Sequence, residues 1–432
     1  MAGISTWNCP PSAKGTPYAR SRIGGGGRLA KARSLGPLPF FSFPGGRERS
    51  AAMSETVLPL NGLKIVAHAA GVGAAYAARM LCTLGAECVL VEGPGGSPLR
   101  AEPPFLPRGE ISALFAYLAA GMSSRVIGLA SDGGRAALGA LLSTADIFID
   151  DTQVADRAAL GLDEAAIAAK HPDLVHVSVL PFGATGPKAG WKAEEIQVQH
   201  ASGEGYLLPN GLTTEMFPDR PPVKIHGHFG AMQGGIAAAL GALSALWVRP
   251  QLGGQYVDIS CQDAMLSVGA FAIQRLGDGS VEHRVERSFR YGGVIPCADG
   301  YVELLTLEQR QWDGLVKLLG EPDWALDPAL ADSLERSRRG PVINTYIRAW
   351  AATRKVEDIV REGQKLSVPL AKYYTPIEVV NDKHEKLRGL FQPVPVEGAG
   401  LLNMLVSPFH FGGSPLRLRA GPPALHKAED VA

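Results

Sequence analysis

The stretch Gly62–Glu92 constrains the fold of this chain more than any other. A short apolar segment, Leu63–Ala67, is typical of a buried parallel strand. Gly71-Val72-Gly73 then provides a turn in which the backbone bends without a Cβ penalty. Ala74–Leu84 is rich in helix formers, and Cys88–Val91 is a second apolar strand. This strand–helix–strand unit predicts a doubly wound α/β domain.

The glycine turn also suggests a dinucleotide site. Gly71 and Gly73 follow a strand and open a helix, and Glu92 lies about 20 residues further on, where a ribose hydroxyl is bound in such sites. The third glycine of that fingerprint is replaced by Tyr76, whose ring prevents the close helix–strand packing that a small residue permits. The residues therefore favour a strand–helix–strand unit that binds neither nicotinamide nor flavin.

Length and charge limit the kinds of protein to consider. A chain of 432 residues is long enough for two domains with their own cores. Its net charge of zero conceals an asymmetry, because residues 1–52 carry eight Lys or Arg against one acid. From Met53 onward, 34 basic and 41 acidic residues remain, which argues against nucleic acid as a partner.

Residues 1–52 have no hydrophobic periodicity, and their apolar patch is too short and too proline-rich for a signal peptide. An Arg-rich leader with one acid also resembles a mitochondrial transit peptide. We favour a disordered or misassigned leader, with Met53 as the true start. The five cysteines form no CxxC pair, which predicts a reducing cytoplasmic location and no metal. The apolar run 230–248 is interpreted as a buried helix rather than a membrane span.

Alternating strands and helices continue to residue 276 and predict one parallel sheet. We expect a large Rossmann-like domain over 53–276, a polar linker over 277–289 and a smaller α+β domain over 290–385. The proline-rich residues 386–432 are expected to be extended and to return to the large domain.

The order of the motifs resembles the type III CoA-transferase family, which includes carnitine CoA-transferases, bile-acid-inducible F proteins and formyl-CoA transferases. The likeness extends over roughly residues 58–429. It rests on successive segments, namely PLNGLKIVAHAAGVGAAYAARMLCTLGAECVLVEGPGG, STADIFID, LGLDEAAIAAKHPDLVHVSVLPFGATGP, GGQYVDISCQDAML, CADGYVELL, SPFHFGGSP and the late Pro-Ala-Leu. Each segment alone is a weak signal, whereas all of them in this order are a strong one.

The resemblance implies an interlaced homodimer that moves CoA from an acyl-CoA donor to a carboxylic acid, with no tightly bound cofactor. In this family an aspartate attacks the thioester, and an anhydride and then an enzyme thioester follow. The matching position here is Glu195, one methylene longer than aspartate. For CoA binding, the resemblance points to Arg125, Leu129 and Leu160.

Several family positions differ in this chain. Ser124 stands where the family has a lysine, Asp151-Thr152 replaces an Asn-Phe pair, and a second lysine-bearing segment is shortened to residues 130–134. Fewer cations weaken the binding of the anionic CoA phosphates. The glycine-run loop of oxalate-type enzymes is reduced to Gly292-Gly293, which argues against oxalate as the substrate.

Two other functions stay open. Racemases of 2-methylacyl-CoA share the fold and use a His and an Asp as acid and base. His200 is about 140° round a helix from Glu195, so the two would not converge, and His68 is more simply a buried structural residue. The second of these functions is that of a catalytically degenerate subunit in a hetero-oligomer. His226 and His228 have no third partner for a metal ion in the sequence.

Overall fold

The structure is a computed structural model and describes residues 57–107, 111–207, 219, 223–268 and 290–425. The predicted leader, the start at Met53 and the linker 277–289 lie outside the described residues. All elements described below belong to the unit Glu55–Ala432.

The centre of this unit is a six-stranded parallel sheet in the order β3-β2-β1-β4-β5-β6. The strands are β1 (Lys64–His68), β2 (Glu87–Glu92), β3 (Ser123–Val126), β4 (Ile147–Asp150), β5 (Val175–Leu180) and β6 (Tyr256–Ser260). The order runs in one direction from β1 to β3 and in the other from β4 to β6, as in a doubly wound fold. The α/β fold class predicted from the sequence is confirmed.

Helices cover both faces of this sheet. One face packs against α1 (Val72–Thr83) and the long helix α8 (Phe229–Leu252), and the other packs against α3 (Asp132–Leu142) and α5 (Glu164–Lys170). The remaining helices of this part are α2 (Ala113–Leu118), α4 (Val154–Leu160), α6 (Glu195–Ala201), α7 (Glu204–Leu207) and α9 (Cys261–Val268). Burial on both faces explains the apolar run Ile147–Ile149 of β4, and it requires polar partners for His176 and Ser178, which are buried in β5.

Tyr76 is accommodated because α1 packs against α8 at a glycine. A Cβ on Gly235 would lie 2.7 Å from the carbonyl oxygen of Gly73 and 3.1 Å from the ring and Cβ of Tyr76. Only glycine allows the two helices this separation. Helix α8 is long and apolar enough to cross a membrane by length and composition alone. In this structure it packs on α1 and on the sheet, although Leu240 and Trp247 are exposed.

Residues 290–385 build a second core around an antiparallel sheet of β7 (Gly293–Cys297), β8 (Gly300–Leu304) and β9 (Leu370–Lys372). The helices of this core are α10 (Gln309–Leu318), α11 (Ser333–Arg338), α12 (Gly340–Ala351) and α13 (Val356–Lys365). Two short helices without buried residues follow, α14 (Pro376–Asn381) and α15 (Lys383–Arg388). The division into domains at 276 and 290 stays a prediction, because the residues between them are not described.

The residues after α15 are not simply extended, because they form a hairpin of β10 (Phe391–Val396) and β11 (Gly400–Leu405). Pro393 and Pro395 fit into β10 because each strand of a two-stranded sheet has a free edge that needs no N–H.

The end of the chain is attached to the elements around the large sheet. The guanidinium of Arg79, only 2% exposed, donates to the carbonyl oxygen of Leu405 at 3.2 Å. Its other hydrogen bonds reach the carbonyl oxygen of Tyr117 and the hydroxyl of Thr83. Arg100 donates to the carbonyl oxygen of Pro423 at 3.1 Å.

Candidate active site

The candidate site lies where the strand order reverses. β1 ends at His68 and β4 at Asp150, and these two residues are partners in the parallel register. The segments that follow the two strands diverge to opposite sides, which leaves a crevice at the carboxyl edge of the sheet. A cavity of about 760 Å³ opens there, lined by the start of α1, residues 151–160, the start of α6, and parts of β5, α8 and α9.

Asp151 occupies the N-terminus of α1. Its carboxylate accepts hydrogen bonds from the backbone N–H of Ala70 at 3.0 Å and of Gly71 at 2.5 Å. These are the groups that would bind the pyrophosphate of a dinucleotide, so the chain's own carboxylate takes that place. A Cβ on Gly71 would lie 3.1 Å from the carboxylate, which explains the glycine without a nucleotide.

Asp151 lines the cavity and is only partly accessible to solvent. Burial raises the pKa of Asp151 to about 7, and the nearby charge of Asp150 acts in the same direction. The two backbone donors act in the opposite direction and limit the rise of the pKa. A carboxyl group of this kind can hold or release a proton near neutral pH.

Glu195 begins α6 and lies at the N-terminus of α8. One carboxylate oxygen accepts from the N–H of Gly230 at 2.6 Å and the other from the N–H of Ala231 at 3.1 Å. The amide of Gln199, one turn along α6, donates to the first oxygen at 2.5 Å. The N-terminus of a 24-residue helix favours a negative charge, so the donors hold the carboxylate in one orientation against the cavity.

The sequence around Glu195 produces this arrangement locally. Glu194 caps α6 in a capping box with Gln197, and this places the next residue at the first helical position. A Cβ on Gly230 would lie 3.1 Å from the Glu195 oxygen, so glycine allows the carboxylate to approach α8. Gln199 is fully buried and also accepts from the N–H of Ile225, which joins α6 to the segment before α8.

His68 and Cys261 complete the titratable lining. Burial lowers the pKa of His68, which Asp150 partly counteracts, so the imidazole favours its neutral form. Its Nδ1 lies 3.3 Å from the hydroxyl of Thr152. Burial raises the pKa of the Cys261 thiol to about 12, and the charges of Glu195 and Asp151 add to that rise. This cysteine is therefore a thiol rather than a thiolate at neutral pH.

A buried polar network supports the floor of the cavity. Asp150 is fully buried and lies 2.5 Å from Nε2 of His176, and its other oxygen accepts from the N–H of Thr152 at 2.8 Å. Arg157 donates to the carbonyl oxygen of Thr152 at 3.0 Å and to the hydroxyl of Tyr256 at 2.7 Å. The network fixes the loop that carries Asp151 and Thr152.

The residues expected from the sequence separate into two groups. Glu195 and Leu160 line the same cavity. Arg125 is exposed on β3, the edge strand, and Leu129 is 6% exposed in the core beneath α3, past the end of β3 rather than within it. Neither of these two lines the cavity. β3 ends at Val126, so Leu129 lies in the connection to α3 rather than in a strand.

The histidines also separate. His68 and His228 line the cavity, whereas His200 is exposed and packs against Gly205. Among the residues that the structure describes, no group of three or more His, Cys, Asp or Glu could hold a metal ion. Sequence reasoning missed Asp151 and Cys261 as cavity residues. Their one available signal was position, since Asp151 directly follows β4 and Cys261 directly follows β6 at the carboxyl edge of the sheet.

Comparison with known proteins shows which family this chain belongs to. The family model for CoA-transferase family III matches residues 60–428. A probable CoA-transferase, Rv1866, from Mycobacterium tuberculosis is 32% identical over 316 residues, which are 71% of this chain and 38% of that protein. The chain thus spans well under half the length of that relative. A succinyl-CoA:mesaconate CoA-transferase from Haloarcula hispanica is 27% identical over 75% of this chain and 82% of its own length.

A solved structure agrees with these relatives. The crystal structure of a CAIB/BAIF family protein from Brucella suis superposes with a TM-score of 0.76 at 26% identity, and the match covers 86% of this chain and 97% of that one. The resemblance inferred from the order of the motifs is confirmed, and the chain belongs to CoA-transferase family III.

Proposed function

We propose that this protein transfers CoA from an acyl-CoA to a carboxylic acid and that Glu195 is the nucleophile. The observation that carries the proposal is the Glu195 carboxylate, which the N-terminus of α8 holds against a cavity at the switch point of the sheet. A volume of about 760 Å³ is within the usual range for small-molecule sites. Family membership supports the same reaction class.

The proposed cycle begins when a Glu195 oxygen attacks the thioester carbonyl carbon. The carbon–sulfur bond breaks, CoA leaves as a thiolate, and a mixed anhydride forms. The thiolate then attacks the glutamyl carbonyl carbon, which releases the first acid and leaves a glutamyl-CoA thioester. The acceptor carboxylate repeats these two steps in reverse order. The new acyl-CoA departs, and Glu195 is again a free carboxylate with no net change in protons or electrons.

The protein's own groups contribute orientation and charge stabilisation. The N–H groups of Gly230 and Ala231 hold Glu195 before attack, and the same helix N-terminus stabilises negative charge that develops on its oxygens. The neutral Cys261 thiol is a poor nucleophile, so it does not compete with Glu195 for the thioester carbonyl carbon.

Trapping tests the proposal. The protein is incubated with an acyl-CoA and hydroxylamine, and peptides are mapped by mass spectrometry. We expect a hydroxamate at Glu195, none at the adjacent Glu194, and none in Glu195→Gln. An active protein without that adduct, or an active Glu195→Ala variant, would refute the nucleophile.

A second candidate, a 2-methylacyl-CoA racemase, is favoured by one observation. His68 and Asp151 line the same cavity, the first with its pKa lowered by burial and the second with its pKa raised to about 7. Such a pair suits proton removal and return beside a thioester carbonyl. Deuterium uptake at that carbon in heavy water, lost in His68→Ala and kept in Glu195→Gln, would identify the racemase.

We also propose the interlaced homodimer, in a cytoplasmic location, as the working assembly. A catalytically degenerate subunit of a hetero-oligomer is the alternative. Sedimentation of the purified protein, together with the trapping result, separates the two, because a degenerate subunit gives no adduct until its active relative is added.

A further inference from the structure

His228 lines the cavity and has no role in the cycle proposed for Glu195. It is the N-cap residue of α8 and is half-buried. Its ring makes no capping hydrogen bond, and no other hydrogen bond or ion pair holds the ring within the part of the chain that the structure describes. His68, which also lines the cavity, lies instead against the hydroxyl of Thr152 at 3.3 Å. The His228 imidazole is therefore available to a bound molecule.

The chain places His228 close to the carboxylate of Glu195. The backbone nitrogen of Gly230 lies 2.6 Å from an oxygen of that carboxylate. The Cα atom of His228 is only two residues earlier, so it lies within about 6 Å of the same nitrogen. A histidine side chain spans most of that distance. His228 and Glu195 therefore border the same part of the cavity.

The first step of the proposed cycle creates a negative charge on the acyl oxygen. When a Glu195 oxygen bonds to the thioester carbonyl carbon, an electron pair of the C=O bond moves to the acyl oxygen, and it returns when the C–S bond breaks. The backbone donors at the start of α8 are engaged by the oxygens of Glu195 itself, and those at the start of α1 by Asp151. Histidine side chains are among the groups that stabilise such an oxyanion.

We propose that His228 is a catalytic residue, whose imidazole N–H donates a hydrogen bond to the acyl oxygen of the thioester while Glu195 attacks. The inference rests on the proposed CoA transfer at Glu195 and adds a group to its first step. A neutral imidazole carries one N–H, and no proton is transferred. The hydrogen bond strengthens as the oxygen gains charge and weakens when CoA leaves as a thiolate. The donors of α8 serve the second step, in which the charge develops on a glutamyl oxygen.

Substitutions of His228 test this role. Because the hydrogen bond is strongest in the transition state, His228→Ala should lower kcat for CoA transfer about 100-fold and leave KM for the acyl-CoA within about threefold. His228→Gln and His228→Asn each keep an amide N–H near the position of one imidazole nitrogen, and at least one of them should recover about tenfold of the loss. All three variants should unfold at the temperature of the unmodified protein, since the ring does not cap α8.

His226→Ala is the matched control, because His226 is exposed and does not line the cavity. It should keep the kcat of the unmodified protein. A chemical footprint adds a readout that needs no turnover. Diethyl pyrocarbonate modifies imidazole nitrogens, and the modified peptides are mapped by mass spectrometry with and without butyryl-CoA. We expect butyryl-CoA to slow the modification of His228 about tenfold and to leave that of His226 unchanged, since a bound ligand covers the groups that line its cavity.

Three results would overturn the inference: a kcat of His228→Ala within about threefold of the unmodified protein, an equal loss in all three His228 variants, or no protection of His228 by butyryl-CoA. The nucleophile is tested separately. If the unmodified protein transfers CoA without a hydroxamate at Glu195, the nucleophile is wrong, and the kcat of His228→Ala still decides whether His228 is catalytic. If the hydroxamate forms at Glu195 and His228→Ala is fully active, this inference alone is wrong.

Discussion

The variant Glu195→Asp is a sharp test, because the structure and the family resemblance lead to opposite expectations for its activity. The resemblance implies an aspartate at this position, so a sequence argument alone expects Glu195→Asp to preserve or improve activity. The structure leads to the opposite expectation. The backbone nitrogens of Gly230 and Ala231 lie 2.6 and 3.1 Å from the two carboxylate oxygens of Glu195. An aspartate side chain is one methylene shorter, so its carboxylate would lie further from both donors.

The size of the effect follows from these contacts. A displacement of about 1 Å at a reacting group costs on the order of 100-fold in rate. Loss of hydrogen bonds to a charged group costs about 1.5–3 kcal/mol each. We therefore expect kcat for CoA transfer to fall about 100-fold and the free energy of unfolding to fall by about 2–4 kcal/mol.

The assay combines initial rates of CoA transfer with urea denaturation. Glu194→Asp is the matched control, since it makes the same change on the residue that caps α6, where aspartate is an equally good cap. That control should keep its stability within about 0.5 kcal/mol. If Glu195→Asp were as active and as stable as the unmodified protein, the backbone donors at the start of α8 would not be what positions this carboxylate.

Three further predictions follow from contacts described above. The pKa of Asp151 is about 7 in the folded state, whereas the ordinary value is 3.8. The unfolded chain therefore loses this proton first, and the group lowers the free energy of unfolding as the pH rises from about 4 to 7. Asp151→Asn should flatten that part of the curve of stability against pH, measured by denaturation. Gly235→Ala should lower the free energy of unfolding by about 1–3 kcal/mol, because its Cβ would lie 2.7 Å from an atom of α1. Gly139→Ala on α3 is the control, since a Cβ there meets nothing within 4 Å, and it should raise the free energy of unfolding by about 0.5–1 kcal/mol in the same thermal or urea assay. Asp150→Asn, which removes the charged partner of His176, should cost about 3–5 kcal/mol, and calorimetry showing no loss would contradict the structural role of the network.

The sequence predicted the large sheet well because its signals are local. The stretch from Gly62 to Glu92 contains a complete strand–helix–strand unit, and each boundary is marked by a glycine or an apolar run. The hairpin at 391–405 was missed because prolines normally argue against strands, and only the partner strand reveals that their edges are free.

The site was harder to predict because its parts come from distant segments. Glu195 was identified through its motif, but its donors lie 35 and 36 residues away at the start of α8. Asp151 was noted as a departure from the family, and no sequence pattern revealed that it caps α1 some 80 residues earlier. The pKa of such a group depends on burial, which only the packed fold determines.

The attachment of the chain's end to α1 has a consequence for how the protein is made. Arg79 is buried among carbonyl and hydroxyl oxygens, and one of these acceptors, Leu405, is 326 residues away. During synthesis at the ribosome, α1 emerges early, but its guanidinium cannot complete its hydrogen bonds until the hairpin has been translated. Arg100 waits similarly for Pro423. Contacts of such sequence separation slow folding, so the α1 side of the sheet reaches its native packing only after nearly the whole chain has been released.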